Sequence, residues 1–237
     1  MRGSLLSVLV VSICLGVGCT PLSEVHPHIP SQELSADDRA EILIHLKARS
    51  SSSTTLRALY RASMQIDGER QPTLRYAVVA HKPDSLRIEI LPTTSLYPLA
   101  LLTSSGGRAS YRDHANAEQV NELDERELLA RYLHIPLQSS ELISLLFGDV
   151  PAAYLSRPDL HLAREAETGR VILWLDDLTI YFVLAPEDFG VEVAEFRDLF
   201  SQSLKIRALI SDHASHLFFK LPSFTLELTL IGQKKGA

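Results

Sequence analysis

The sequence has few of the residue patterns that mark an enzyme or a metal protein. It contains two cysteines and one tryptophan among 237 residues. No G-x-S-x-G elbow, P-loop, H-E-x-x-H or dinucleotide-binding motif occurs in it. The nearest approaches to a metal pair, His26 with His28 and His213 with His216, have no cysteine or convincing third ligand nearby. The sequence therefore predicts no catalytic residue, no metal site and no cofactor.

An excess of positive charge is also missing. The chain carries 23 Lys and Arg residues against 29 Asp and Glu residues, which gives a formal net charge of −6. Domains that bind nucleic acid are usually basic, with their cations gathered in a patch or a stripe. This negative net charge argues against nucleic acid as a partner, and it gives no reason to expect adhesion to anionic lipid.

The most apolar segment is too short for a membrane-spanning helix. It covers the 13 residues from Leu5 to Val17, whereas a span needs about 20. A basic residue precedes it and small residues close it, which is typical of a secretory signal. Because Cys19 follows Gly18 directly, residues 1–18 look like a bacterial lipoprotein signal peptide, whose removal accompanies acylation of the cysteine. A plainly cleaved leader and an uncleaved anchor are the alternatives.

Both cysteines belong to this leading region. Removal of Cys14 and acylation of Cys19 leave no pair of thiols for a disulfide, so stability must come from the hydrophobic core. Residues 20–34 contain three prolines and no apolar periodicity, which is typical of a tether. We therefore expect a lipidated tether over residues 19–34 and a single domain over residues 35–237.

Most of this domain is predicted to be β-structure. Apolar side chains occupy the even positions of residues 55–66 and polar ones most of the odd positions, and the pattern returns in residues 74–80 and 86–90. Such alternation is typical of antiparallel strands that have one face toward a core and one toward water. Further strands are expected near residues 99–103, 108–112, 119–123, 160–166, 170–175, 179–184, 190–196, 205–210, 217–221 and 224–230.

Three segments have the period of an α-helix instead. Ser35 is expected to cap the first, with Ala40, Leu43, Ile44 and Lys47 sharing one face. The second follows a capping pair formed by Asp124 and Glu127, and the third begins at Ser139 or Ser140 and stops at Gly148. The expected class is thus mainly β, within α+β.

Three stretches of the chain resemble the LolA and LolB superfamily of lipoprotein carriers. They are PDSLRIEILP at residues 83–92, LHIPL at residues 133–137 and ELISLLFGDVP at residues 141–151. Their order and spacing, behind the lipoprotein signal, look like those of uncharacterised bacterial relatives of LolB. The resemblance implies an open half-barrel of about eleven antiparallel strands, with helices plugging its concave face and a cavity for acyl chains between them.

The implied cavity assigns roles to the inward-facing apolar residues. Its lining is expected to comprise Tyr60, Met64, Tyr76, Val78, Ile88 and Ile90 from the strands, and Leu129, Leu133, Ile143, Leu146 and Phe147 from the helices. Small inward residues, Ala58, Ala62 and Ala80, leave room for a guest. A sheet whose interior is filled by its own side chains would show the same alternation.

A loop between the third and fourth strands is the second implied site. LolB carries there a protruding loop whose exposed apolar residue touches the membrane, and the corresponding stretch of this chain, residues 91–99, contains Leu96 and Tyr97. These two side chains are expected either to form a membrane-contacting wedge or to pack on the rim of the sheet.

The resemblance implies a function without catalysis. It is that of a bacterial lipoprotein anchored to the outer membrane through acylated Cys19, with its domain in the periplasm. Thr20 stands where an aspartate is associated with retention in the inner membrane. The protein is expected to bind acyl chains of lipoproteins or other lipids and to assist lipoprotein localisation, with a periplasmic carrier protein as an expected partner. The alternative is a lipid-anchored structural or assembly factor that uses the half-barrel as a protein-docking surface and carries no lipid.

Overall fold

The computed structural model describes residues 34–52, 54–114, 119–177, 179–197, 204–211 and 214–236. The predicted leader, Cys19, the predicted tether up to residue 33 and His213 lie outside the described residues. Its elements in chain order are α1 (Ala36–Ser51), β1 (Thr55–Ile66), β2 (Glu69–Arg70), β3 (Leu74–His81), β4 (Ser85–Pro92), β5 (Ala100–Ser105), β6 (Arg108–Asp113), β7 (Gln119–Asp124), α2 (Glu125–Leu133), α3 (Ser139–Leu146), α4 (Ala152–Leu155), β8 (Leu160–Arg164), β9 (Val171–Leu175), β10 (Ile180–Leu184), β11 (Val191–Arg197), β12 (Leu204–Ser211), β13 (His216–Lys220) and β14 (Phe224–Gly236).

These strands form one antiparallel sheet. Its order is β7-β6-β5-β4-β3-β1-β14-β13-β12-β11-β10-β9-β8, and the short β2 pairs with the end of β1. Within the described residues the edge strands β7 and β8 do not pair, so the sheet is open. The predicted open half-barrel is confirmed, with thirteen strands along its main path instead of about eleven. Every predicted strand segment overlaps one of these strands.

The helices connect the two edges of the open sheet. The chain leaves edge strand β7, runs through α2, α3 and α4, and enters edge strand β8. Helix α2 packs on β6 and β7, and α3 packs on β4. Buried residues of α2 and α3 belong to the same hydrophobic core as the inward residues of the strands, so these helices cover the sheet's inner face and form a roof over it.

The alternation in the sequence matches burial in the first strand. In β1 the residues Leu56, Ala58, Tyr60 and Ala62 are buried, while Arg57 and Arg61 are exposed. The pairing of β1 with β3 continues the pattern, because partners in an antiparallel pair point to the same face. A one-residue slip would place the apolar set in water, which fixes the register.

Helix α1 begins as predicted but rests on a different face. The Ser35 side chain accepts a hydrogen bond from the backbone N–H of Asp38, whereas Ile42, Leu46 and Ser50 are the buried residues and Ile44 is 69% exposed. The predicted shared face was therefore wrong. Apolar residues cover more than one side of this helix. The side that packs is the one from which two arginines hydrogen-bond to other elements.

The first of these arginines ties α1 to the sheet edge. Arg39 donates a hydrogen bond of 2.5 Å to the backbone carbonyl of Leu160, the first residue of β8. The second, Arg49, reaches Asp149 in the connection between α3 and α4. No helix in the described part of the chain is long and apolar enough to cross a membrane.

Candidate functional site

The predicted lining residues meet in one core. Nine of the eleven are buried to 8% exposure or less, and Met64 and Phe147 are partly buried against the same cluster. The nine are Tyr60, Tyr76, Val78, Ile88, Ile90, Leu129, Leu133, Ile143 and Leu146. The structure thus brings together residues from three neighbouring strands and two helices.

This interior is filled by the protein's own side chains. The alanines that were expected to leave room, Ala58, Ala62 and Ala80, are themselves buried, with exposures of 7%, 0% and 0%. A pocket of about 450 Å³ opens at the end of α1, and of the predicted lining residues Phe147 reaches it. The structure therefore shows an apolar interior with the roof closed down on it.

Residues from the second half of the sheet complete the interior. Phe182, Leu173, Phe219 and Leu226 are all fully buried in the same cluster. The alternating pattern predicts their strands but assigns none of these four residues to the site. The signal that could have found them is present in β13, where Leu217 and Phe219 alternate with more exposed neighbours.

Two buried phenols lie on the inner face of β1 and β3. Tyr60 and Tyr76 are cross-strand partners, with exposures of 1% and 3%. The Tyr60 hydroxyl donates to the backbone carbonyl of Ala214 over 3.4 Å, and that of Tyr76 lies 3.5 Å from the Met64 sulfur. Burial raises the pKa of both to about 12, because the phenolate is poorly solvated there. They present neutral groups to the interior.

A polar contact fastens the roof to β5. The Ser139 hydroxyl, at the start of α3, donates to the Ser104 hydroxyl over 2.7 Å, and Ser104 donates to the carboxylate of Glu125 at the start of α2. Both serines are buried, at 3% exposure for Ser104 and 0% for Ser139. The beginnings of both roof helices therefore meet one strand at one point.

A charged cluster closes the same interior at the end of α1. We call Arg49, Lys82 and Asp149 the Lys82 cluster. The Lys82 ammonium and the Arg49 guanidinium both pair with Asp149, the latter at 2.8 Å. Lys82 also donates to the Arg49 carbonyl over 2.9 Å and lies 4.6 Å from the centre of the Phe147 ring. The cluster joins α1, the β3–β4 turn and the segment after α3.

That segment follows the predicted helix stop. Gly148 has φ +71°, a left-handed conformation that glycine adopts without the steric penalty of a side chain. This reversal directs Asp149 back toward Lys82. Among the described residues, no three His, Cys, Asp or Glu side chains are grouped as metal ligands would be.

The predicted contact loop projects into solvent. Leu96 is 82% exposed and Tyr97 is 84% exposed, so they do not pack on the rim. The base of the loop is held by Arg75, which donates to the carbonyls of Pro92 and Ser95 at 2.9 Å and 2.6 Å. The tip is therefore presented from an ordered base. Whether it touches a membrane stays a prediction.

Comparison with known proteins identifies the fold. No family model matches the sequence, and no curated protein matches it. A DUF1329 family protein from Desulfovibrio piger superimposes with a TM-score of 0.60 at 10% identity, covering 83% of this chain and 92% of its own. An outer membrane lipoprotein-sorting protein domain from Vibrio parahaemolyticus gives 0.58 at 12% identity, covering 86% and 94%.

A third structure agrees with these two. A LolA superfamily protein from Nitrosomonas europaea gives a TM-score of 0.51 at 11% identity and covers 82% of this chain and 92% of its own. At such low identities the likeness concerns the fold alone. The chain has a LolA/LolB-like fold.

Proposed function

We propose that this protein is a bacterial outer-membrane lipoprotein that binds acyl chains and assists the localisation of lipoproteins or another amphiphile to the membrane. The observation that carries the proposal is the apolar interior between an open sheet and a helical roof, in a fold shared with a lipoprotein-sorting domain and a LolA superfamily protein. The role we assign is binding and transfer, without catalysis and without a cofactor.

The chemistry of the interior suits a hydrocarbon guest. Each buried methylene contributes about 0.8 kcal/mol, so an acyl chain needs no directional polar partner to bind tightly. The neutral phenols of Tyr60 and Tyr76 place no charge in its path. Because the interior is closed and filled, a guest enters only if roof helices α2 and α3 move away from the sheet.

The openness of the sheet makes such a movement feasible. Helices α2 to α4 join the two edges, which do not hydrogen-bond to each other within the described residues. Lifting the roof therefore breaks side-chain contacts and leaves the strand pairing intact. The guest would take the place of Leu129, Leu133 and Ile143 against the concave face.

Attachment and delivery complete the proposal. Acylated Cys19 would hold the domain at the outer membrane on a tether that spans roughly 45 Å when extended. The exposed Leu96–Tyr97 tip would then enter the membrane interface when cargo is passed on. A periplasmic carrier protein would supply the cargo.

Native mass spectrometry tests the binding step. The unlipidated mature chain, residues 19–237 with Cys19→Ser, is produced in bacteria, purified without detergent and analysed for bound lipid, then titrated with a fluorescent fatty acid. We expect co-purified lipid or saturable uptake. An empty protein that also fails to take up the fatty acid would refute the carrier role.

A second experiment tests delivery. Leu96→Glu together with Tyr97→Glu alters two side chains that are more than four-fifths exposed, so folding should not change. We expect lipoprotein transfer to membranes to fall at least tenfold, while fatty-acid uptake stays at the wild-type level. Unchanged transfer would remove the wedge from the mechanism.

The closed interior favours one alternative. Because the protein's own side chains fill the core, the half-barrel is also suited to a structural or assembly role in which its surface docks another protein and no lipid is carried. The two functions differ in the titration above, since a docking factor stays empty.

A further inference from the structure

Two arginines stand side by side next to the Leu96–Tyr97 tip. Arg61 of β1 and Arg75 of β3 are direct cross-strand partners, so their Cβ atoms are about 5 Å apart on one face. That face is the outer one, because the residues that follow them, Ala62 in β1 and Tyr76 in β3, point to the opposite face and are buried. Arg75 also hydrogen-bonds to Ser95, the neighbour of Leu96.

The Arg61–Arg75 pair does not stabilise the folded state. Like charges directly opposite each other in an antiparallel pair destabilise it. Among the described residues neither guanidinium has a carboxylate within ion-pair distance. The acids diagonal to them on the neighbouring strands have other partners, since Glu89 pairs with Arg87 at 2.5 Å and Glu227 with His216 at 3.0 Å.

A third cation extends the pair toward the end of the sheet. Arg70 in β2 is the partner of Gln65, which lies on the outer side of β1. Arg70 is exposed, and Glu69 beside it is the acid in the same short strand. We call Arg61, Arg70 and Arg75 the arginine group; it carries three positive charges, and Arg75 connects it to the base of the Leu96–Tyr97 loop.

We propose that the arginine group binds the phosphate of anionic phospholipid headgroups where the Leu96–Tyr97 tip enters the bilayer. When a tip inserts apolar side chains at the interface, the residues at its base lie at the depth of the headgroups. Guanidinium groups fit phosphate oxygens through paired N–H donors. A bound phosphate also relieves the repulsion between Arg61 and Arg75. The inference rests on the proposed membrane contact and specifies its lipid.

Vesicle sedimentation of the unlipidated mature chain, residues 19–237 with Cys19→Ser, tests the proposal. Its binding is compared on vesicles of phosphatidylcholine and on vesicles in which one lipid in three is phosphatidylglycerol. We expect tighter binding to the anionic vesicles. Arg61→Gln should reduce this binding about fivefold, the effect of one cation near an anionic surface, and leave binding to neutral vesicles unchanged.

The matched control is Arg57→Gln. Arg57 is exposed on the same outer face of β1, opposite Val79, and lies four residues farther from the tip than Arg61. The Arg57→Gln substitution removes the same charge as Arg61→Gln. An equal loss of binding in both variants would therefore show general charge attraction and overturn the proposal. Adding Arg70→Gln to Arg61→Gln should lower anionic binding further.

Two further measurements distinguish a failure of the arginine group from a failure of the membrane contact, and a phospholipid site from a site for free phosphate. If Leu96→Glu with Tyr97→Glu binds both kinds of vesicle as well as wild type, the membrane contact itself fails. If that variant loses binding but Arg61→Gln keeps the full anionic preference, the arginine group fails and the contact stands. Replacing chloride by inorganic phosphate at constant ionic strength should leave the preference intact; its loss would identify a site for free phosphate instead.

Discussion

Lys82 shows how a buried charge can organise the closed state of this fold. Its side chain is 6% exposed and that of its partner Asp149 is 5% exposed. A buried ion pair is costly to desolvate, so its presence is weak evidence for stability, but removing one partner leaves the other charge uncompensated. Because Asp149 follows the roof helix α3 and Lys82 begins the β3–β4 turn, this pairing fixes the roof to that end of the sheet.

The first prediction concerns this pair. Asp149→Asn removes the negative charge and retains the side chain's size, so it should lower the free energy of unfolding by about 3 kcal/mol, measured by urea denaturation. Glu127→Gln is the control, since its partner Arg131 and Glu127 itself are more than half exposed; it should cost about 0.3–0.5 kcal/mol. An equal decrease in the free energy of unfolding for the two variants would show that the Lys82 cluster does not stabilise the fold more than an exposed ion pair does.

The buried phenols give the second prediction, at alkaline pH. Burial raises the pKa of Tyr76 to about 12 from 10.0. Below pH 10 the phenol is protonated in both states; between pH 10 and about 12 the unfolded chain loses the proton while the folded chain keeps it. Stability should therefore fall through this window by about 1.4 kcal/mol per pH unit for each such tyrosine.

Tyr76→Phe isolates that contribution. Its free energy of unfolding should decline less steeply than that of wild type between pH 10 and 12, while Tyr60 continues to contribute. The measurement is urea denaturation at several pH values. An identical decline in both proteins would show that the Tyr76 phenol is not shielded in the folded state.

At the level of elements, the roof helices determine whether the interior can admit a guest. The α2 cap and the inward faces of both helices were readable from sequence: Asp124 caps α2 by accepting from the N–H groups of Arg126 and Glu127, and Leu129 and Ile143 lie inward as predicted. Helix α3 begins at Ser139 as predicted, but its cap is Gln138, which the sequence pattern did not indicate. The buried link from Ser139 to Ser104 and Glu125 was not readable, because it joins residues that are far apart in the chain.

This link supplies the third prediction. The two serine hydroxyl oxygens are 2.7 Å apart, so Ser104→Cys with Ser139→Cys places two thiols next to each other for oxidation to a disulfide. In the mature chain with Cys19→Ser, oxidation should lock α3 to β5 and abolish fatty-acid uptake, and reduction should restore it. Ser104→Cys alone is the control. Equal uptake by the oxidised and reduced proteins would mean that chains enter without movement of α3.

Helix α1 illustrates what a local pattern leaves undecided. Four apolar residues, Ile42, Leu43, Ile44 and Leu46, fall within five positions, so they occupy more than half of the helix circumference. Their spacing allows several faces to pack. The contacts of Arg39 with Leu160 and of Arg49 with Asp149 select the face, and both partners lie about a hundred residues away or more.

For the whole molecule, the alternating pattern predicted strands well because each has one wet face and one dry face. The pattern holds no information about which strands are neighbours when they are distant in sequence. The pairing of β1 with β14 joins the first strand of the chain to the last. The interior is completed by residues of the second half of the sheet, such as Phe182 and Phe219. Neither contact is encoded in a local pattern. Whether the core is empty or filled is likewise a property of the complete set of side chains.

The fourth prediction concerns attachment of the whole protein. Cys19→Ser in the full-length chain should prevent acylation and leave residues 1–18 uncleaved, because the thiol that receives the lipid is missing. Mass spectrometry of protein from bacterial membranes measures both effects. The wild-type mature chain should begin at Cys19 and carry acyl groups. A wild-type chain that is cleaved at another bond or bears no lipid would contradict the lipoprotein assignment.

Net charge is a poor guide to local electrostatics in this molecule. The formal charge of −6 gave no reason to expect attraction to anionic lipid, yet the register of β1 and β3 places Arg61 beside Arg75. The two residues are fourteen positions apart, and only the pairing of their strands brings them together.

The hydrogen bond from Arg39 to Leu160 also bears on solubility. An open sheet ends in strands whose backbone groups can recruit a strand from another molecule, which is a route to aggregation. At β8 one of those acceptors is occupied by a charged side chain from α1, and a cation at this position discourages the approach of a second sheet. The sheet can thus remain open, as the proposed binding of an acyl guest requires, while its β8 edge is protected against self-association.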